Sequence, residues 1–219
     1  MILADEINRA SAKTQASLLE AMEEKQVTVD SHTYKLEEPF IVLATQNPLE
    51  SYGTYPLPEA QMDRFLIKTS IGYPVFDEEV DILFSKEGGK NKLEPVASAA
   101  DILEFRGMAE RVRIERVLAE YIVQIINATR NSADILLGSS PRGSIALFKA
   151  SKVYALMQGR NYVIPEDIKY LAPHILSHRL ILTHEAKINQ KTPEMIIESI
   201  LQQIAVVLDR DGSGRGKKK

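Results

Sequence analysis

Ile2-Leu3-Ala4-Asp5-Glu6 is the stretch on which the fold turns. A short apolar run ends in two adjacent carboxylates. Read as a buried strand of an open α/β sheet, it delivers both acids to the carboxyl edge of the sheet, where such sheets place their ligands. There Asp5 can hold Mg2+ through water and Glu6 can polarise an attacking water. An acidic pair after an apolar run is also what a plain solvated strand end looks like, so the stretch needs company. The run begins abruptly: Met1-Ile2-Leu3-Ala4 is apolar from the first residue, whereas frayed ends are usually polar. The expectation drawn from this is a truncated domain; the alternative is an edge strand starting at residue 2.

Company comes from three further signals, each at the edge of an element. Leu43-Ala44-Thr45-Gln46-Asn47-Pro48 sets a polar amide just beyond a second apolar run. If the two strands are neighbours, Asn47 approaches Glu6 and can orient a water without adding charge; otherwise it is an ordinary Asn-Pro turn. Asp63-Arg64-Phe65 offers a guanidinium that can stabilise charge on a transferring phosphoryl group, or form a surface ion pair. Ser140-Pro141-Arg142 reads as an N-cap, a proline at the first helical position and an arginine in the first turn. The helix dipole and Arg142 would act on one anion, unless the arginine is merely solvated.

The first third of the chain alternates helix and strand. A helix is expected over Ser11 to Lys25, with Ala12, Ala16, Leu19 and Met22 on one face. Val27–Val29 and Tyr34–Leu36 flank the turn-forming Asp30-Ser31-His32, a β-hairpin pattern. Phe40 to Ala44 reads as a strand buried on both faces, Leu49 to Pro58 as a loop and Phe65 to Ile71 as a further strand. After Pro74 the pattern is wholly helical. Helices are expected at Asp77–Lys86, stopped by Gly88-Gly89, at Ser98–Arg111, at Glu115–Asn131, and from Ser140-Pro141 to a stop at Gly159. Others open at Pro165 and at Thr192-Pro193, before a flexible basic tail, Gly212–Lys219.

Composition narrows the classes. The 219 residues are 44% hydrophobic and 26% charged, as in a soluble globular protein. A net charge of -3 gives no global pull toward nucleic acid or a membrane surface. Cysteine is absent, which removes disulfides, thiolate metal sites and a cysteine nucleophile. No apolar run reaches the roughly 18 residues needed to span a bilayer, and nothing resembles a signal peptide, so cytoplasm is the default expectation. His32, His174, His178 and His184 have no ligand spacing and are expected to be solvated or to cap.

Taken together, the signals resemble AAA+ ATPases, and specifically the MoxR family. The residues carrying the resemblance are Ala4-Asp5-Glu6-Ile7-Asn8-Arg9-Ala10, Leu18-Leu19-Glu20-Ala21-Met22-Glu23-Glu24 and Ala44-Thr45-Gln46-Asn47-Pro48. Gly53-Thr54-Tyr55-Pro56-Leu57-Pro58-Glu59-Ala60-Gln61, Asp63-Arg64-Phe65 and Ser140-Pro141-Arg142-Gly143 complete the set. The resemblance implies an α/β fold: a partial P-loop core, with a truncated parallel sheet and a β-hairpin, over residues 1–74, then an all-α helical lid over 75–211 and the tail, 212–219. It implies ATP and Mg2+ as cofactors. Asp5 resembles the Walker B metal-water ligand and Glu6 the catalytic base. Asn47 resembles sensor 1, Arg64 an arginine finger acting on the neighbouring subunit's nucleotide, and Arg142 sensor 2 on the lid. The hairpin resembles the one that faces the ring pore and partner in related machines. The implied partners are neighbouring subunits of a homo-oligomeric ring, expected to be a hexamer, and a protein substrate that is remodelled or activated; nucleic acid and membrane are not expected. Two other classes stay open: a non-hydrolysing interaction module, and a nucleic-acid motor of a related AAA+ family. The sequence holds no G-x-x-x-x-G-K-[ST] match; Gly138 and Gly143 have the glycine spacing, but Ser144-Ile145 stand where Lys-Ser/Thr is required. This chain alone is therefore expected to be inactive as an ATPase.

Overall fold

The computed structural model describes residues 1–47, 55–85 and 94–205. Most of the expected Leu49–Pro58 loop, the Gly88-Gly89 stop and the basic tail lie outside the described residues. Strand β1 (Ile2–Ala4) leads through a short 3-10 turn (Ile7–Arg9) into helix α1 (Ala12–Glu24). Ser11 caps α1 by accepting from the Thr14 amide at 3.3 Å, and Lys25 ends it in the left-handed region at φ 54°. Strands β2 (Gln26–Val29) and β3 (His32–Lys35) form the expected hairpin. Asp30 and Ser31 both have positive φ, the geometry that a two-residue hairpin turn requires. Strand β4 (Val42–Ala44) pairs in parallel with β1, in the register Ile2↔Val42, Leu3↔Leu43, Ala4↔Ala44. The helical turn α2 (Glu59–Met62) follows.

Two expectations for this part need correction. The strand through Phe40–Ala44 is not buried on both faces, because Ile41 and Leu43 are exposed and alternate with half-buried neighbours. Only one face of the β1–β4 pair is covered among the described residues. The strand expected at Phe65–Ile71 is not formed. Its apolar residues are there, yet a strand exists only with a pairing partner; here the Phe65 carbonyl accepts from Arg179 and His178 instead.

Beyond residue 75 come α3 (Phe76–Ser85), α4 (Ala99–Glu110), α5 (Arg116–Asn131), α6 (Pro141–Met157), α7 (Pro165–Leu176), α8 (His184–Ile188) and α9 (Pro193–Gln203). Ser98 and Asp101 form a reciprocal capping box on α4. Gly159 supplies the left-handed residue, at φ 72°, just after α6. The helical spacing of Leu118, Tyr121, Ile122, Ile125 and Ile126 buries them all, and together with Leu147, Ile168, Ile175 and Ile197 they form the main core. The wholly helical expectation misses one feature: β5 (Ile135–Leu137) and β6 (Ile181–Leu182) pair antiparallel beside α5. Strands of two or three residues carry too little alternation to be read from periodicity. A second, small core of Ile7, Leu19 and Leu57 lies under β1, β4 and α1. Among the described residues, no helix is long and apolar enough to cross a membrane.

Candidate functional site

The parallel register Ala4↔Ala44 sets the residues after both strands side by side. Thr45 joins them. Its hydroxyl donates to Asp5 Oδ1 at 2.6 Å and accepts from the Glu6 amide at 2.9 Å, and its carbonyl accepts from the Ile7 amide at 3.0 Å. Asn8 Nδ2 donates to the Asn47 carbonyl at 3.3 Å. Asp5, Glu6 and Asn47 thus share one sheet edge. Glu6 is held at φ 47°, ψ 53°, a region costly for a side chain longer than Asn or Asp, and its carboxylate pairs with Arg9 at 3.0 Å.

Arg64 and Arg142 meet elsewhere. Both guanidiniums pair with the Glu23 carboxylate, and Arg64 also donates to the Leu19 carbonyl at 3.0 Å. The hydrogen bond from Arg142, with the charge of both arginines, lowers the Glu23 pKa against a desolvation penalty. Gln15, in the first turn of α1, donates to the Ile7 carbonyl, while Glu23 lies eight residues on. At 1.5 Å per residue, the arginine cluster sits about 12 Å along α1 from the acidic edge. Arg142 therefore joins Arg64 rather than Asp5 and Glu6. Glu23, Asp63, Arg64, Arg142 and Arg179 line an open cleft of about 230 Å³.

Asp63 ties this cluster to the helices. Its Oδ2 accepts from Ser140 Oγ at 2.7 Å, and its Oδ1 from Arg179 Nη1 at 2.7 Å. Ser140 is also the N-cap of α6, accepting from the Arg142 amide at 3.1 Å, and Pro141 takes the first helical position. The anion at this helix start is the Asp63 carboxylate. His178, expected to be solvated or capping, is instead half-buried, with Nε2 donating to the Phe65 carbonyl at 3.0 Å. Burial lowers its pKa, and the positive charges of Arg179 and Lys68 push the same way. Sequence reasoning missed Thr45, Glu23 and Arg179. Thr45 carried a signal, a hydroxyl directly after a strand; Glu23 and Arg179 look like ordinary helix charges until the chain is folded.

A sheet edge bearing Asp-Glu opposite Thr-Gln-Asn, with a lid arginine brought to the arginine of Asp-Arg-Phe, is what the comparisons with known proteins bear on. Residues 1–67 match the profile of the ATPase family associated with various cellular activities (AAA), and residues 127–200 match the AAA lid domain. Chaperone MoxR1 of Mycobacterium tuberculosis is 40% identical over 94% of the chain and 57% of its own length. The chain belongs to the MoxR family of AAA+ ATPases. The uncharacterized protein YeaC of Bacillus subtilis is 51% identical over 96% of the chain and 66% of its own length. The chain thus spans two thirds or less of the length of these two relatives. A crystal structure of a putative ATPase from Cytophaga hutchinsonii superposes with a TM-score of 0.87 at 42% identity, covering 94% of this chain and 66% of that one. An MCM homologue from Methanopyrus kandleri, at 17% identity and a TM-score of 0.54, shares the fold alone.

Among the described residues, no group of three or more acidic or histidine side chains could hold a metal by itself. A Mg2+ ion bound to a nucleotide takes one or two protein carboxylates and fills its shell with phosphate oxygens and water. The Asp5 carboxylate, with Oδ1 engaged by Thr45, has the chemistry of such a ligand.

Proposed function

We propose that the intact protein hydrolyses ATP in a homo-oligomeric ring, a hexamer, and uses the energy to remodel or activate partner proteins. The division is an ATPase core to residue 74 and a lid from residue 75, in a cytoplasmic setting. The observation that carries the reading is the parallel β1–β4 pairing, which sets Asp5 and Glu6 against the Thr45–Asn47 segment. Glu6 takes a proton from water as its oxygen bonds to the γ-phosphorus. The bond from that phosphorus to the β–γ bridging oxygen breaks, leaving ADP and phosphate. Asn47 orients the water; Asp5 would hold Mg2+ through a water, and the bound ion would neutralise phosphate charge. Thr45 keeps the two acids in register. Arg64 and Arg142, on one carboxylate at the far end of α1, are matched to an anion other than the one Asp5 and Glu6 serve. In a ring that anion is the neighbouring subunit's γ-phosphate, which displaces Glu23 as their partner.

The test is complementation in the full gene product. Glu6→Gln should keep ATP bound and abolish turnover. Arg64→Ala should bind ATP nearly as the parent does and lose about 10³- to 10⁵-fold in rate. A site needs its own Glu6 and its neighbour's Arg64, so mixing the two inactive variants should restore turnover at Arg64→Ala sites flanked by Glu6→Gln subunits. Mixed rings that stay inactive at every ratio would refute the shared site.

A further inference from the structure

The Asp63-Arg64-Phe65 segment belongs in sequence to the first part of the chain, but the groups that hold it come from the lid. Arg179, in a 3-10 turn after α7, has a side chain only 2% exposed. Its Nε donates to the Ile175 carbonyl at 2.8 Å, within its own segment. Its Nη1 donates to the Asp63 carbonyl and to Asp63 Oδ1, and its Nη2 to the Phe65 carbonyl at 2.6 Å. One guanidinium therefore grips the backbone on both sides of Arg64. Ser140 adds a bond to the Asp63 carboxylate, and His178 a second donor to the Phe65 carbonyl. From the first part of the chain, the Arg64 side chain is tied to the Leu19 carbonyl and Glu23. The amides of Asp63, Arg64 and Phe65 continue the turn of α2 by donating to the carbonyls of Glu59 at 3.0 Å, Gln61 at 3.2 Å and Met62 at 3.1 Å. These bonds run back into the segment's own helix, and the carbonyls of Asp63 and Phe65 are held by the lid.

We infer that Arg179 is a positioning residue for Arg64, making the lid the frame in which the arginine finger is held. The inference rests on the reading of Arg64 as a finger that serves the neighbouring site. Its consequence is directional: the lid orientation in one subunit sets the rate of hydrolysis in the next. The planar fork is what the task requires. Two carbonyls flanking one residue are spanned by the parallel N–H groups of a guanidinium, whereas a lysine ammonium is a single point of charge.

The experiment compares Arg179→Lys with Arg64→Ala in the full gene product, reading ATP affinity, kcat and KM, then mixing each with excess Glu6→Gln subunits. A misplaced finger should lower kcat by about 10²-fold with KM and ATP affinity unchanged. Its defect should fall on the neighbour, so the Arg179→Lys and Glu6→Gln mixture should regain turnover as the Arg64→Ala mixture does. A merely structural role for Arg179 would damage its own subunit, and no mixture would recover. Should Arg179→Lys fail to fold, Asp63→Asn, which keeps an acceptor but removes the carboxylate that the lid grips, carries the same two readouts. Unchanged kcat in the folded variant, a rise in KM alone, or an inactive mixture overturns the inference. Parent activity in Arg64→Ala overturns the finger reading and the inference with it; a defective Arg64→Ala beside a parent-like Arg179→Lys overturns the inference alone.

Discussion

Replacing Asp63 with alanine should release the first part of the chain from the lid without unfolding the lid. Among the described residues, the smaller core is built on buried Ile7, Leu19 and Leu57, too little apolar surface to stand alone. The most buried ion pair joining it to the lid is that between Asp63 and Arg179, whose side chains are 13% and 2% exposed. Breaking a buried pair by removing one partner costs about 3–5 kcal/mol, since a charge is left behind. Arg179 keeps three carbonyl acceptors, so the lower figure, about 3 kcal/mol, applies. At 1.4 kcal/mol per tenfold, local opening becomes about 10²-fold more frequent. Native-state amide exchange reads this directly. Amides of α1 should exchange about 10²-fold faster, while those of α5, packed in the larger core, keep the parent rate. A control variant, Glu120→Ala, removes only the exposed pair with Arg116 and should leave both unchanged. Equal acceleration of α1 and α5 would mean that the two cores open as one unit, and an unchanged α1 would mean that the Asp63 contacts are idle; either refutes the reasoning.

The other expectations can be checked on the same chain. His178 has a folded pKa below its ordinary value of about 6.5. The unfolded state then binds more protons between the two values, so stability is full above about 6.5 and falls as the pH drops through the folded pKa. In urea titrations across that range, His178→Gln should lack this acid-linked loss, and an identical pH dependence in both proteins would sink the assignment. Gly143→Ala should cost about 1–3 kcal/mol, because the new Cβ would lie 2.1 Å from Ser139 Oγ and 3.2 Å from Leu176 Cδ2. Gly107→Ala, mid-helix with nothing within 4 Å, should instead gain up to about 1 kcal/mol; thermal melts showing the same sign for both would contradict the packing. The 219-residue chain, having no phosphate-cradling loop in its sequence, should bind ATP at best in the millimolar range, about -4 kcal/mol, without turnover; calorimetry giving micromolar affinity would overturn this.

What could be read from the sequence is what short-range chemistry dictates. Ser98, Ser140 and Thr192 are caps because a side-chain oxygen two or three residues before a free amide can do little else, and each caps its helix. The Asp30-Ser31 turn and the spacing of Ile122, Ile125 and Ile126 are equally local. The pairing of β1 with β4 was legible because each apolar run ends in polar residues that make sense only at a common edge. What could not be read depends on partners distant in sequence. The Phe65–Ile71 run has strand composition, but the competition for the Phe65 carbonyl is decided by Arg179, more than a hundred residues later.

The same distance explains why the arginines were harder to place than the acids. Asp5 and Glu6 are positioned by a register of three residues, and any chain with that register brings them to Thr45. Arg64 and Arg142 are positioned by a tertiary junction: Glu23 from the end of α1, Asp63 from the end of α2, Ser140 from the start of α6 and Arg179 from the 3-10 turn after α7. A group set by backbone pairing moves only if the sheet does. A group set by side chains from four elements moves whenever one of them shifts. The acids are thereby built to stay and the arginines to follow the lid, the division of labour that the proposed shared site requires.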